Sequence, residues 1–110
     1  MGDHYGLVVR FRLRPGCEAA FDRLVAETIG EIQRREHRTL MYSSHAVHGR
    51  PDLRIFYELY ADRGAFDEHE KQPHVRRFLT EREALLSETE VDFLTPLDTS
   101  LQPALARPSA

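Results

Sequence analysis

Residues 5–35 read YGLVVRFRLRPGCEAAFDRLVAETIGEIQRR, and the spacing of their apolar side chains changes part-way along. From Tyr5 to Arg14 apolar and polar residues alternate, which predicts a strand with one buried face. Pro15 and Gly16 then interrupt the pattern. Beyond them the apolar residues recur every three or four positions, which predicts an amphipathic helix with the buried stripe Phe21, Leu24, Val25, Thr28, Ile29 and Ile32.

The next part of the chain predicts a β-hairpin. Residues 39–47 are rich in β-branched, aromatic and small polar residues, as in a second strand, and residues 53–61 form a third. Between them, residues 48–52 contain both Gly49 and Pro51, which favours a turn.

The last third of the domain predicts a broken helix and a final strand. Asp62 is a suitable N-cap for a short helix, and Pro73 suits the first turn of a second helical piece. The apolar face of that second piece is predicted to contain Val75, Phe78, Leu79, Leu85 and Leu86. Residues 88–97 predict the fourth strand.

The resulting order, β-α-β-β-α-β, predicts an α+β ferredoxin-like sandwich: a four-stranded antiparallel sheet with both helices on one face. On the other face the first strand carries Val8 beside three arginines. This surface is too polar for a core and unusual for open solvent, so we expect a second copy of the chain to pack there, sheet against sheet. We assign residues 1–97 to the domain and 98–110 to a C-terminal tail that is mobile or contacts the partner.

Composition narrows the classes of function. The 110 residues suit one domain, and 15 Lys and Arg against 18 Asp and Glu offer no basic face for nucleic acid. Cys17 is the only cysteine, so an intrachain disulfide is impossible. The sequence shows neither a signal peptide nor an apolar run that could cross a bilayer, so we expect no membrane association and a cytoplasmic location.

The third strand offers a carboxylate for chemistry. Phe56, Glu58 and Tyr60 share one face because alternate strand residues point the same way. If that face meets the helices, burial would raise the pKa of Glu58, as in proton-transfer sites. The alternative is a structural salt bridge from Glu58 to Arg76 or Arg77.

Two histidines follow at the break between the helices. His69 and His74 could both face the same cleft, where a neutral imidazole can accept a proton near pH 7. The alternative for each is a histidine that caps helix carbonyls. We do not expect a metal site, because His45 and His48 are three apart on a strand and His69 and His74 are five apart, spacings that do not place a ligand pair on one face.

The segment FYELYADRGAF at residues 56–66, followed by His69 and by Pro73-His74, resembles the antibiotic biosynthesis monooxygenase family. The alternating first strand, Pro-Gly and long helix fit as well, so the likeness covers about residues 5–97. Two features depart from the family: residues 36–38 read Glu-His-Arg where Glu-Pro-Gly is frequent, and the chain has no tryptophan. The positions that match the haem-binding residues of a related branch are Val9 and Leu79, which argues against haem.

The resemblance implies a dimeric α+β barrel that oxidises a small aromatic phenol or quinol with O₂ and needs no cofactor. By position, Glu58, His69 and His74 match the family's acidic and histidine places, and Tyr60 its strand-end aromatic. Our first hypothesis is therefore a cofactor-independent monooxygenase in which His69 accepts a proton and Glu58 orients His69 or the substrate. The predicted substrate-binding residues are Tyr42, Tyr60, His74, Phe56, Phe66 and Phe11.

Two other functions remain open on the same scaffold. An isomerase of a small polar metabolite would use the same acid and base without O₂, in a pocket lined by arginines. A non-catalytic module would bind a small ligand or another chain, with Glu58 locked in an internal ion pair.

Overall fold

The computed structural model describes residues 3–100. In chain order the elements are β1 (Tyr5–Leu13), α1 (Glu18–Arg35), β2 (Thr39–Val47), β3 (Arg50–Tyr60), α2 (Arg63–Lys71), α3 (Pro73–Glu81), a 3-10 turn (Arg82–Ala84) and β4 (Leu86–Leu94). The four strands form one sheet in the order β2-β3-β1-β4, and every neighbouring pair is antiparallel. The predicted ferredoxin-like α+β fold is confirmed.

The core lies between the helices and one face of the sheet. On β1 the buried side chains are those of the predicted alternating set, Leu7, Val9, Phe11 and Leu13. On α1 the buried residues are Phe21, Leu24, Val25, Thr28 and Ile32, which confirms the predicted stripe except for Ile29, which is only partly buried. At the centre, the Phe56 ring contacts the rings of Phe11, Phe21 and Phe78.

Several predicted boundaries were wrong, each for a local reason. The turn between β2 and β3 contains only His48 and Gly49, and Gly49 adopts the positive φ of +76° that glycine tolerates. Pro51 fits inside β3 because pairing with β1 begins only at Leu53. The second helical piece ends at Glu81, so neither Leu85 nor Leu86 lies on it. Leu85 lies in the turn that follows, and Leu86 begins β4, which ends at Leu94 rather than Leu97.

The predicted boundary between the domain and the C-terminal tail and the predicted cytoplasmic location stay predictions. Most of the proposed tail, 101–110, lies outside the described residues. Among residues 3–100, no helix combines the length and apolar character needed to cross a bilayer.

The central position of Phe56 leads to a stability prediction. Phe56→Ala removes a fully buried ring, and we expect it to lower the free energy of unfolding by about 3–5 kcal/mol. Leu97→Ala is the control, because its side chain is 90% exposed and the change should stay within about 0.5 kcal/mol. Urea unfolding measures both, and equal effects would mean that Phe56 is not a core residue.

Candidate active site

A cleft lies between the helix-facing side of the sheet and the pair α2 and α3. One row of cross-strand neighbours runs along its floor: Tyr42 on β2, Glu58 on β3, Leu7 on β1 and Phe93 on β4. The roof residues are His69 from α2 and Val75, Phe78, Leu79 and Arg82 from α3 and the turn after it. The cavity volume is about 120 Å³.

Glu58 is a buried acid in the floor of this cleft. The residue is 6% exposed, and Tyr60 donates its O–H to Oε1 of Glu58 at 2.5 Å. Burial raises the pKa of Glu58, and the hydrogen bond from Tyr60 offsets only part of that effect. The alternative salt bridge to Arg76 or Arg77 is not formed; Arg77 instead pairs with Glu81 and Glu27.

His69 is held by a carboxylate from a different part of the chain. Nδ1 of His69 lies 2.6 Å from Oε1 of Glu36, the residue that follows α1. Thr39 donates its hydroxyl to the same oxygen at 2.6 Å. Burial raises the pKa of Glu36, but the hydrogen bonds from His69 and Thr39 outweigh it, so the pKa is below its usual value.

This contact determines which ring nitrogen of His69 can act as a base. Because Glu36 is held as an anion, the neutral imidazole places its hydrogen on Nδ1, facing Glu36. The lone pair is then on Nε2, at the opposite edge of the ring. The ring lies between Tyr42 and Tyr60, with centroid distances of 5.5 and 5.1 Å, and His69 lines the cleft together with Glu58.

Arg82 places a cation in the wall of the cleft. Its guanidinium lies over the rings of Phe11 and Phe78, at 5.2 and 5.4 Å from their centroids. Burial lowers the pKa of Arg82, although a guanidinium stays charged at neutral pH. In residues 3–100 no carboxylate oxygen lies within ion-pair distance of it. The nearby Tyr42 has a raised pKa because it is buried and close to Glu58, so it remains a neutral phenol.

The sequence was compared with models of known protein families. The family model for antibiotic biosynthesis monooxygenases covers residues 4–81. The chain belongs to the antibiotic biosynthesis monooxygenase family. No curated protein matches the sequence.

Solved structures share the fold of this family member over almost their whole length. PA3566 from Pseudomonas aeruginosa is 26% identical, with a TM-score of 0.80 over 89% of this chain and 98% of that one. Rv0793 from Mycobacterium tuberculosis is also 26% identical, with a TM-score of 0.80 over 89% and 99%. SnoaB, a cofactor-independent oxygenase from Streptomyces nogalater, is 22% identical, with a TM-score of 0.77 over 88% and 96%, and shows the shared fold.

The structure brings some of the predicted site residues together and separates others. Glu58, His69, Tyr42 and Phe66 line the cleft. Phe11, Phe56 and Tyr60 face the helices as predicted but are at most 1% exposed, in the core rather than in the cleft wall. His74 lies behind the cleft, where its Nε2 contacts Oε2 of Glu36 at 2.5 Å.

Two residues of this site were missed from the sequence. We expected Glu58 to orient His69 or the substrate, but the carboxylate that holds the ring is Glu36. A signal was present, because an acid just past the C-terminal end of a helix is disfavoured by the helix dipole and needs a local reason. Arg82 had no such signal. Within residues 3–100, no set of three or more His, Cys, Asp or Glu side chains is arranged to hold a metal ion.

The raised pKa of Glu58 predicts how stability depends on pH. From the ordinary value of 4.5 up to the raised value, the folded chain binds more protons at this site than the unfolded chain, so the stability contribution of Glu58 falls as pH rises. Glu58→Gln keeps an acceptor for Tyr60 but cannot ionise. We therefore expect the variant to gain stability relative to the wild type as pH increases above 4.5, measured by urea unfolding at a series of pH values.

Glu36→Gln is the matched comparison, because the stability contribution of Glu36 should change with pH in the opposite direction to that of Glu58. The lowered pKa of Glu36 means that its stabilising contribution is present above the ordinary value of 4.5 and is lost as pH falls through the folded-state value. This variant should therefore lose most stability at neutral pH and little in acid. Parallel pH curves for the two variants would contradict both assignments.

Proposed function

We propose that this protein is a cofactor-independent monooxygenase that oxidises an aromatic phenol or quinol with O₂. The observation that carries the proposal is the contact between Glu36 and Nδ1 of His69, which leaves Nε2 as the ring nitrogen that can act as a base, on a residue that lines the cleft. A substrate whose own anion reduces O₂ needs only deprotonation, orientation and exclusion of water. The similarity in fold to SnoaB, a cofactor-independent oxygenase, supports this function.

The size and lining of the cleft favour an aromatic ring. An apolar cavity of about 150 Å³ can hold benzene, so the cleft volume of about 120 Å³ suits one ring at most. Val91 and Phe93 also line the cleft and are 44% and 57% exposed, so its apolar floor continues to the open surface of β4. A larger substrate would place its further rings there.

Each polar group then has a role in the reaction. Nε2 of His69 takes the phenolic proton, and Arg82 stabilises the phenolate. The phenolate passes one electron to O₂, and the two radicals combine to form a carbon–oxygen bond to the ring. Glu58, whose raised pKa favours the protonated form, gives its proton to the resulting peroxide.

The products follow from the balance of atoms. The ring carbon loses its hydrogen as a proton while the O–O bond breaks, which leaves a quinone carbonyl on that carbon. The second oxygen leaves as hydroxide and combines with a proton to form water. O₂ thus accepts four electrons, all from the phenol.

The composition of the cleft favours this reaction over the alternatives. A small polar metabolite, as in the isomerase, would be expected to require several charged contacts, whereas the cleft walls are mostly apolar and contain one arginine. A module in which Glu58 only holds the fold would pair it with a cation, and Glu58 accepts from Tyr60 instead.

Oxygen uptake tests the proposal directly. Metal-free protein incubated with substituted phenols, naphthols and hydroquinones should consume O₂ above the rate of the buffer blank. His69→Gln should lower kcat about a hundredfold because it removes the base. His48→Gln, in the exposed turn after β2, is the matched control and should retain the full rate. Equal rates for the two variants would exclude His69 as the base.

We also propose that the protein acts as a homodimer through the sheet face opposite the helices. Val8, Ile55, Tyr57 and Leu59 share this face and are only half-buried within one chain. Arg12 pairs there with Asp52 and Glu88, so part of its charge is already compensated. An apolar centre with a paired polar border is the composition of a protein interface.

One substitution on this face tests the dimer. Val8→Arg adds a charge to the centre of the apolar patch, and we expect light scattering to show the mass of one chain instead of two. Ala26→Arg is the control, because Ala26 is exposed on α1 and lies on the helical side. A wild-type protein that is monomeric at micromolar concentration would contradict the proposal.

A further inference from the structure

Arg82 is a half-buried cation in the wall of the cleft, and it has no ion-pair partner among residues 3–100. Its guanidinium packs over the rings of Phe11 and Phe78 and donates no hydrogen bond to any residue of that range. Its nitrogens are nevertheless accessible, because the one fully buried side-chain polar atom without a hydrogen bond in this part of the chain is Nδ1 of His4. A charge that is partly removed from water and not compensated by the protein can bind a ligand of opposite charge.

Tyr42 adds a second polar group with donor capacity to the same cleft. It lines the cleft together with Arg82, and its hydroxyl forms no hydrogen bond with any of residues 3–100. Burial raises the pKa of Tyr42 and the charge of Arg82 acts against that rise, so the two groups are close in space. A phenol O–H and a guanidinium are both donors, so together they suit a ligand group rich in acceptor oxygens.

We propose that Arg82 and Tyr42 form a binding site for a carboxylate, and that the substrate is therefore an aromatic acid: a phenol or quinol with a carboxylate on its ring. The binding site itself follows from the arrangement of the two side chains. Its use during turnover rests on the proposed function.

The shape of the guanidinium favours a carboxylate. Its N–H groups form a planar fork that can donate two parallel hydrogen bonds to the two oxygens of one carboxylate. In the wall of a mostly apolar cleft, the surroundings screen such charge-assisted bonds less than water does. A guanidinium has five N–H groups, so Arg82 can hold a carboxylate while its charge also stabilises the phenolate.

The acids around Arg82 favour a group with one negative charge over a phosphate. Glu58, Glu70 and Glu83 are the carboxyl groups whose charge acts on Arg82. Burial raises the pKa of Glu58, which favours its neutral form, and Glu70 and Glu83 are exposed to water, which weakens their effect. One guanidinium compensates one negative charge. A phosphate monoester carries nearly two at neutral pH, and the second would remain uncompensated among these acids.

The position of Arg82 determines where the carboxylate lies. Arg82 and Leu79 line both the cleft and a second hollow of about 280 Å³, between the turn after α3 and the first residues of β4. The cleft of about 120 Å³ suits one ring at most, so a substituent has to extend beyond it. A carboxylate directed towards the second hollow would still contact the guanidinium. Of the acids that line this hollow, Glu88 is paired with Arg12.

A matched pair of ligands tests the site without turnover. 3-Hydroxybenzoate and 3-hydroxybenzamide have nearly the same shape, but only the first is charged at neutral pH. We expect the wild type to bind the acid at least about tenfold more tightly than the amide, measured by nuclear magnetic resonance titration. Equal affinities in the wild type would overturn the proposal. Tighter binding of phenyl phosphate than of benzoate would overturn the choice of a carboxylate.

Substitutions test whether the two residues carry this preference. In Arg82→Gln the ratio of the two affinities should fall to about one, and in Arg82→Lys, which keeps the charge but not the fork, it should fall in part. Tyr42→Phe should lower the ratio about threefold, because a charged acceptor loses more than a neutral one. Arg76→Gln is the matched control, because Arg76 is exposed on α3 and does not line the cleft. It should keep the full ratio.

Two outcomes of these titrations would contradict the assignment. A wild-type ratio in Arg82→Gln would exclude Arg82 as the carboxylate-binding residue. If Arg82→Gln binds neither ligand because its cleft is damaged, Arg82→Lys and Tyr42→Phe decide, and unchanged ratios in both would overturn the site.

Turnover separates this proposal from the proposed function. 2,5-Dihydroxybenzoate, a hydroquinone with a carboxylate, should be oxidised with a KM about tenfold lower than that of 2,5-dihydroxybenzamide and with a similar kcat, because the carboxylate contact is made before and during the reaction. Equal KM values would overturn the substrate class. If the wild type oxidises neither compound nor any other phenol, the proposed function fails, while the binding titrations still decide the carboxylate site.

Discussion

The carboxylate of Glu36 is the point at which four segments of the chain meet. It follows α1 directly and accepts hydrogen bonds from Thr39 at the start of β2, from His69 in α2 and from His74 at the start of α3. A buried carboxylate without donors would be strongly destabilising, so the three donors and the anion require one another. The roof of the cleft is therefore positioned on the sheet by a polar contact as well as by the apolar core.

Both histidines reach Glu36 because the helix between them is broken. Five residues on a continuous α-helix are separated by about 140° around the axis, which would direct His69 and His74 to different faces. Pro73 prevents this by restricting Gln72, whose φ of −67° and ψ of 139° are extended rather than helical. The change of direction brings both rings to the same carboxylate. Pro73 thus takes part in building the site although it does not line the cleft.

The fold could be predicted from local patterns, whereas the site could be predicted only in part. Alternation along β3 correctly placed Phe56, Glu58 and Tyr60 on the helix-facing side, but it contains no information on how far the helices extend over the sheet. Phe56 and Tyr60 lie beneath them, while Phe93 lies on the same side where the floor is open. Glu36 contacts His69 and His74 across 33 and 38 residues, and no periodicity within one element indicates a contact of that range.

Glu36 and Glu58 are both glutamates of the same site, but their pKa values are shifted in opposite directions. Both are buried, and burial alone would raise both pKa values. Three donors reverse that effect at Glu36, so its pKa is lowered and the anion is favoured. The one donor at Glu58, Tyr60, does not reverse it, so the pKa of Glu58 stays raised and the protonated form is favoured. An environment that separates two carboxylates in this way assigns one to the base and the other to the acid. Glu36 accepts from three hydrogen-bond donors and Glu58 from one, and this difference contributes to the opposite directions of their pKa values.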